Sequence, residues 1–140
     1  MITNRILSCI LILCSPAAVA EILLQSQTSW DDGVIYYPQG SAEIIAKKLS
    51  LVPGKQAAFH CHPVPTFGYI LKGMVQVETE DGKKISLKQG DAVIEMMHTV
   101  HRGLAVGGPA EILVFYASAK GMPTTVLANA EAKEKGQCRD

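Results

Sequence analysis

A run of short alternating segments between about Ser41 and Thr125, separated by glycines, constrains this fold most. From Met74 to Glu80, apolar or β-branched residues alternate with polar ones, which is the period-two pattern of a strand with one solvated face. Asp81-Gly82 follows, and a second alternating segment runs over 84–88. Asp-Gly supplies the positive φ angles of a tight two-residue turn, so the pattern predicts a β-hairpin.

Further strands are predicted on both sides of this hairpin. Glycines at 54, 73, 90 and 107–108 punctuate them, and the core shows no strong helical periodicity. The predicted strands are Ala42–Leu51, Gln56–His62, Phe67–Leu71, Ala92–Met97, Thr99–Val106 and Ala110–Ala119. Many short, evenly spaced strands are typical of an all-β sandwich or barrel, because closing the sheet leaves few exposed edges.

The first twenty residues resemble a secretory signal peptide. Arg5 gives a positive start, 6–14 an apolar run, and 18–20 a small-residue cleavage site. The apolar run is short for a bilayer core of about 30 Å, so a retained anchor is the weaker alternative. The sequence therefore predicts a mature protein that begins near Glu21 and is periplasmic or secreted. It also predicts a single domain, with the barrel at 41–125 and a C-terminal tail at 126–140, of which the polar end, 130–140, is expected to be frayed.

The net charge limits the classes of binding partner, and the cysteine content bears on disulfide formation. The full chain carries 13 basic and 13 acidic side chains. Loss of Arg5 with the signal leaves 12 against 13, a net charge of −1, so no nucleic-acid partner is predicted, and none in the membrane after cleavage. Cys61 and Cys138 remain in an oxidising compartment, where two cysteines can pair. Their spacing leaves open whether they do.

The histidines point to a metal. His60 and His62 are separated by one residue, which on a strand puts both imidazoles on one face, where they can bind one ion. Taken alone, the pair would be better explained as two solvent-facing histidines at a strand end. Cys61 alternates with them and is therefore predicted to point away from the site. A second glycine-led segment, Gly90–Val93, is followed by His98 and His101.

These segments together resemble the cupin superfamily. The segment Gly54-x5-His60-x-His62-x3-Thr66-x6-Gly73 is similar to the first cupin motif. Thr66 stands where the family usually has glutamate. The segment Gly90-x5-Met96-x-His98-x2-His101 is similar to the second cupin motif. Met96 replaces the usual proline and His98 the usual glycine. The resemblance implies a small single-domain bacterial cupin, a jelly-roll β-barrel of type 2, with His60, His62 and His101 as metal ligands.

Loss of the family glutamate at Thr66 predicts a three-histidine site. Such a ligand set suits a divalent transition metal: Fe, Zn, Cu, Ni or Mn. Within the family, three-histidine sites are similar to those of non-haem iron dioxygenases. Glu95 is the only other carboxylate near the second motif, and we expect it to face outward. His98 is expected at the pocket mouth rather than among the ligands.

Three functions are compatible with this pattern. The first is an exported metal-dependent enzyme, of dioxygenase type, that acts on a small organic molecule. The second is a non-catalytic cupin module that binds a small molecule or a metal. The third is a barrel with an empty, degenerate site, which the retained histidines argue against. Family resemblance also implies a homodimer.

Overall fold

The computed structural model describes residues 19–139 as a nearly all-β protein, which confirms the predicted jelly-roll class. Nine strands and one short helix occur in this part of the chain. They are β1 Ala42–Leu51, β2 His60–Cys61, β3 Thr66–Lys72, β4 Met74–Thr79, β5 Lys84–Lys88, β6 Ala92–Ile94, β7 His101–Ala105, β8 Ala110–Ala119, β9 Val126–Leu127 and α1 Ala130–Glu134.

The predicted signal peptide, 1–20, lies almost wholly outside the described residues. Between 19 and 139, no helix is long and apolar enough to cross a bilayer.

The strands form two antiparallel sheets that face each other. One has the order β1-β8-β3-β6 and the other β5-β4-β7-β2-β9. Buried apolar residues of both sheets meet between them, where β4 and β8 contribute alternate residues such as Val75, Val77, Ile112 and Val114. This alternation places one face of each strand in the core, as the sequence pattern predicted.

Several predicted strands are observed with different lengths. β1 and β8 have their predicted bounds and pair over all ten residues. β2 is only two residues long, because ladder pairing to β7 and β9 occurs only at His60 and Cys61. The hairpin loop has three residues rather than two: the amide of Thr79 donates to the carbonyl of Lys83, and Gly82 has a φ of +93°. A glycine of positive φ is typical of three-residue hairpin loops with a bulge.

The expectation that the C-terminal tail is frayed is wrong. β9 pairs with β2, and α1 begins after Asn129, whose side chain accepts a hydrogen bond from the amide of Ala132. A disulfide joins Cys138 to Cys61, and both are buried in a second small core with Val100 and Ala132. The polar composition of this segment suggested exposed side chains and therefore a frayed end. The segment instead forms a short helix, and its one buried residue, Ala132, is too little to reveal the helix in the sequence. The division of the chain at residue 125 stays a prediction.

Candidate metal centre

The fold brings together the three histidines predicted as ligands. His60 on β2 pairs directly with His101 on β7, and His62 follows β2 at a bridge to Met97. The three imidazole rings lie with their centroids 4.8 to 5.0 Å apart. Direct cross-strand partners have neighbouring side chains on the same face, and two-residue spacing keeps His62 on the face of His60.

Backbone carbonyls orient all three rings. The Nδ1 atoms of His60, His62 and His101 each lie 2.8 Å from the carbonyl oxygen of Ala58, Thr124 and Thr99 respectively. Because a carbonyl can only accept, each Nδ1 must carry the hydrogen. When a ring is neutral, it therefore presents the lone pair of its Nε2. Metal-binding histidines are typically held in this way, with the second nitrogen donating to a carbonyl or carboxylate.

Glu95 faces this cluster, contrary to the expectation that it points outward. Its Oε2 lies 3.0 Å from Nε2 of His62 and 2.9 Å from Nε2 of His101. One ligand atom from each of the four residues fits within 4.8 Å of the others, so His60, His62, Glu95 and His101 are positioned to hold a metal. The site therefore has three histidines and one carboxylate, rather than three histidines alone.

The position of Glu95 explains how the site regains its carboxylate. Glu95 directly follows β6, and its amide donates to the carbonyl of Thr66 at 2.9 Å, which continues the β3–β6 pairing of Phe67 with Ile94. Glu95 is thus the cross-strand neighbour of Thr66, the position where the family glutamate is missing. Residues opposed in an antiparallel pair project to the same face. A carboxylate from the next strand therefore occupies the same region of the barrel.

Protons or a metal ion are favoured where these donors converge. With hydrogen on all three Nδ1 atoms, the Nε2 lone pairs of His62 and His101 would face the carboxylate oxygen of Glu95, and like partial charges would repel. Either a proton or a metal ion between them removes this repulsion. A proton on each ring turns its contact into a hydrogen bond to Glu95, whereas a single metal ion can accept lone pairs from all four residues.

The pKa values reflect the same arrangement. Burial lowers the pKa of His60 from 6.5 to about 4, so this ring is neutral at pH 7. Burial also opposes a charge on His101, but the hydrogen bond and charge of Glu95 outweigh it and raise the pKa of His101. Burial would raise the pKa of Glu95, yet hydrogen bonds from His101 and His62 hold it well below its usual value. Glu95 is therefore ionised and available as an anionic ligand.

The four donors line a cavity of about 260 Å³ between the two sheets. Its remaining lining is mainly apolar and comes from β1, β7, β8 and two residues outside the strands: Lys47, Leu49, Leu51, Ala57, Gly103, Ile112, Val114, Tyr116 and Thr125. This volume is slightly below the range of about 300 to 1,000 Å³ typical of small-molecule sites. The donors thus open onto space for a small ligand.

His98 lies outside the candidate ligand group. Its Nδ1 contacts the carbonyl of Gln137 and its Nε2 the hydroxyl of Tyr36, each at 2.8 Å. Its φ of +64° is in the left-handed region, which explains why glycine is the usual family residue here. His98 therefore contacts the C-terminal segment instead of a metal.

Cys61 also lies outside the group, as its alternation with the two histidines predicts. It is fully buried on the opposite face of β2 and forms the disulfide to Cys138, with their Cα atoms 5.6 Å apart. The disulfide consumes its thiol. It also links the C-terminal segment to the residue between two candidate ligands.

Comparison with known families agrees with this architecture. The family described as Cupin domain matches residues 48–116, which include all four donors. This chain belongs to the cupin superfamily. No curated protein sequence matches it as a relative.

Solved structures share the cupin fold at low sequence identity. DMSP lyase DddQ from Ruegeria pomeroyi is 24% identical with a TM-score of 0.54, over 61% of this chain and 43% of that one. An uncharacterised protein with a double-stranded β-helix domain from Klebsiella pneumoniae is 20% identical with a TM-score of 0.53, over 68% and 90%. The oxalate decarboxylase of Lactobacillus farciminis is 18% identical with a TM-score of 0.53, over 65% and 28%. The chain thus spans less than half of either named enzyme, and these likenesses show the fold alone.

Proposed function

We propose that this cupin binds one divalent transition metal through His60, His62, Glu95 and His101 and acts on a small organic molecule in the adjoining cavity. One observation carries the proposal: three imidazoles, each held by a backbone carbonyl at Nδ1, direct their Nε2 atoms at a common point that an ionised carboxylate also faces. Pre-oriented ligands of this kind are typical of functional metal sites.

The donor set limits the chemistry. Imidazole and carboxylate together suit Fe, Mn, Ni, Cu or Zn, and a bound ion would supply Lewis-acid polarisation of a ligand oxygen or redox chemistry. The chain's own residues set the ion's position and keep apolar surface around the reacting molecule. An ion of octahedral preference would retain positions for a substrate, because the protein supplies only four donors.

A non-catalytic binding module is the second candidate, and the fourth donor favours it. Zinc with four protein ligands is typically a closed tetrahedral structural site. The identity of the metal therefore separates the two candidates: zinc alone favours binding, whereas an octahedral metal favours an enzyme. The specific analogy to three-histidine dioxygenases weakens once Glu95 joins the set. Oxygenation stays one reaction to test rather than the expected one.

We propose further that the protein works after export. The predicted signal peptide supports this, and so does the disulfide between Cys61 and Cys138, because such bonds persist in oxidising compartments. An intact mass of the protein from the periplasm or medium should correspond to a chain that begins at Glu21. Retention of 1–20 after export would contradict the proposed cleavage.

The proposed function is tested on protein purified from its own exported compartment. We expect about one equivalent of a transition metal per chain by mass spectrometry, and none in His101→Ala. Purified protein is then screened for oxygen consumption with small thiols, diketones and phenols, and for product formation from DMSP and oxalate, the substrates named for proteins of similar fold. Absence of metal from carefully reconstituted parent protein would contradict the proposal.

A further inference from the structure

The cavity has a second cationic group besides the proposed metal. Lys47 on β1 lines it, and its Nζ lies 5.2 Å from the ring centroid of Tyr116. Tyr116 is in turn next to the ligands, with its ring centroid 5.6 Å from that of His62. Lys47 therefore lines the same cavity as the metal donors, one aromatic ring away from His62.

The direction of Lys47 follows from its place on β1. Lys47, Leu49 and Leu51 share one face of the strand, and all three line the cavity. The next residue, Lys48, is on the opposite face and pairs with Glu111 at 3.2 Å. Within residues 19–139, Lys47 has no such ion-pair partner. Lys47, which lines the cavity, thus has no carboxylate partner, whereas Lys48 on the outward face is paired with Glu111.

The charges of the cavity favour an anion. A divalent ion and Lys47 together carry more positive charge than the single carboxylate of Glu95 offsets, and the three imidazoles are neutral when they bind a metal. The other lining side chains are mainly apolar, including Leu49, Leu51 and Val114. A cavity of about 260 Å³ restricts the ligand to a small molecule.

From these observations we propose that the site selects small aliphatic carboxylates, with Lys47 as the specificity-determining residue. The carboxylate is bound between the Lys47 ammonium and the metal region, and the short apolar body lies against Leu49, Leu51 and Val114. This inference rests on the proposed function, because the same metal site must exist. It goes further in naming the class of ligand and the side chain that recognises it.

The test compares butyrate with butyramide, its neutral near-isostere, by calorimetry on cobalt-loaded protein. We expect butyrate to bind and butyramide to bind at least about tenfold more weakly, the lower end for hydrogen bonds to a charged group. Lys47→Met keeps the apolar stem but removes the charge, and it should weaken butyrate about tenfold while leaving butyramide unchanged. Lys47→Gln should behave likewise. Lys48→Met, on the outward face of the same strand, should change neither ligand.

The outcomes separate this inference from the proposed function. Cobalt stoichiometry is measured first, and a parent protein that binds no cobalt overturns both. If cobalt binds but butyrate does not, or if butyrate and butyramide bind equally, the carboxylate class is wrong. If Lys47→Met and Lys47→Gln bind butyrate as tightly as Lys48→Met does, Lys47 is not the residue that selects the anion.

Discussion

The two sides of the cavity are built in different ways. On one side, β2, β7 and residues 124–138, here called the ligand wall, carry the three histidines and the disulfide. On the other side, β1 is an edge strand on which eight of ten residues are exposed. The ligand wall is held by a covalent bond, strand pairing and buried hydrogen bonds, whereas β1 pairs with β8 on one edge and packs only Ile45 and Leu51 against the core.

This difference separates two tasks. Metal binding needs ligand atoms fixed to within a fraction of an ångström, and the ligand wall supplies that order. Selection of a ligand needs only a suitable charge and an apolar surface, which β1 supplies through Lys47, Leu49 and Leu51. We therefore expect changes in the ligand wall to affect stability and metal affinity strongly, and changes in β1 to affect chiefly ligand choice.

Removing the disulfide should have the largest effect. It joins residues 77 apart in sequence, for which loss of the cross-link lowers the free energy of unfolding by about 4 kcal/mol. Urea denaturation of Cys61→Ser/Cys138→Ser beside the parent protein measures this. Lys48→Met serves as the control in β1, since loss of its exposed pair with Glu111 should cost at most about 1 kcal/mol. Equal stability losses in the two variants would refute the contrast between the walls.

Removing a candidate ligand should strongly weaken metal binding without unfolding the barrel. His60→Ala or His101→Ala should weaken binding by more than about 100-fold, the upper end for loss of a supporting group around a metal. His98→Ala should do much less, because His98 contacts Tyr36 and Gln137 instead. Competition titrations with a metal-binding dye provide the affinities. The three-histidine ligand set would be wrong if His98→Ala matched the other two.

The carboxylate should contribute less than a histidine but measurably. Glu95→Gln keeps the shape, removes the charge, and should weaken metal binding about tenfold or more. Because Glu95 is opposite Thr66, Thr66→Glu in the parent places two carboxylates side by side and should not tighten binding. The double variant Glu95→Thr/Thr66→Glu moves the carboxylate to the opposite strand, so it should bind metal more tightly than Glu95→Thr alone. Tighter binding by Thr66→Glu alone would contradict the expectation that Glu95 already supplies the carboxylate at this position.

The smallest predicted effect is the release of a proton when the metal binds. The pKa of His101 is raised above 6.5 by the hydrogen bond and charge of Glu95, so at pH 6.5 more than half of these rings carry a proton that a metal must displace. Metal affinity should rise with pH up to that raised pKa and then level off. Protonation of His60, whose pKa is about 4, should lower the affinity further only near pH 4. Without metal, His101 stabilises the fold below pH 6.5, and this contribution is lost as pH rises through its raised pKa. Calorimetry in two buffers should detect release of up to one proton, and less in Glu95→Gln.

Local patterns in the sequence were enough to predict β1, β8 and the three histidines. Each depends on the alternation of a strand or on motif spacing, which are properties of neighbouring residues. His60 and His101 could be placed together because two motifs at a known separation resemble the cupin pattern. The predicted all-β fold follows from the same alternation.

Glu95, the disulfide and α1 could not be placed from the sequence. Glu95 follows the short strand β6, and its direction depends on the register with Thr66, a pairing between residues 29 apart that no local pattern specifies. The Cys61–Cys138 bond depends on a Cα separation that spacing does not give. The available signal for Glu95 was the missing glutamate at Thr66 together with one nearby carboxylate.

Anomalous diffraction from crystals of the metal-loaded protein tests the central claim most directly. We predict one peak at the metal's absorption edge, within about 2.0 to 2.2 Å of Nε2 of His60, His62 and His101 and of one Glu95 oxygen. A peak bonded to other residues, or no peak in protein that contains stoichiometric metal, would contradict the proposed centre.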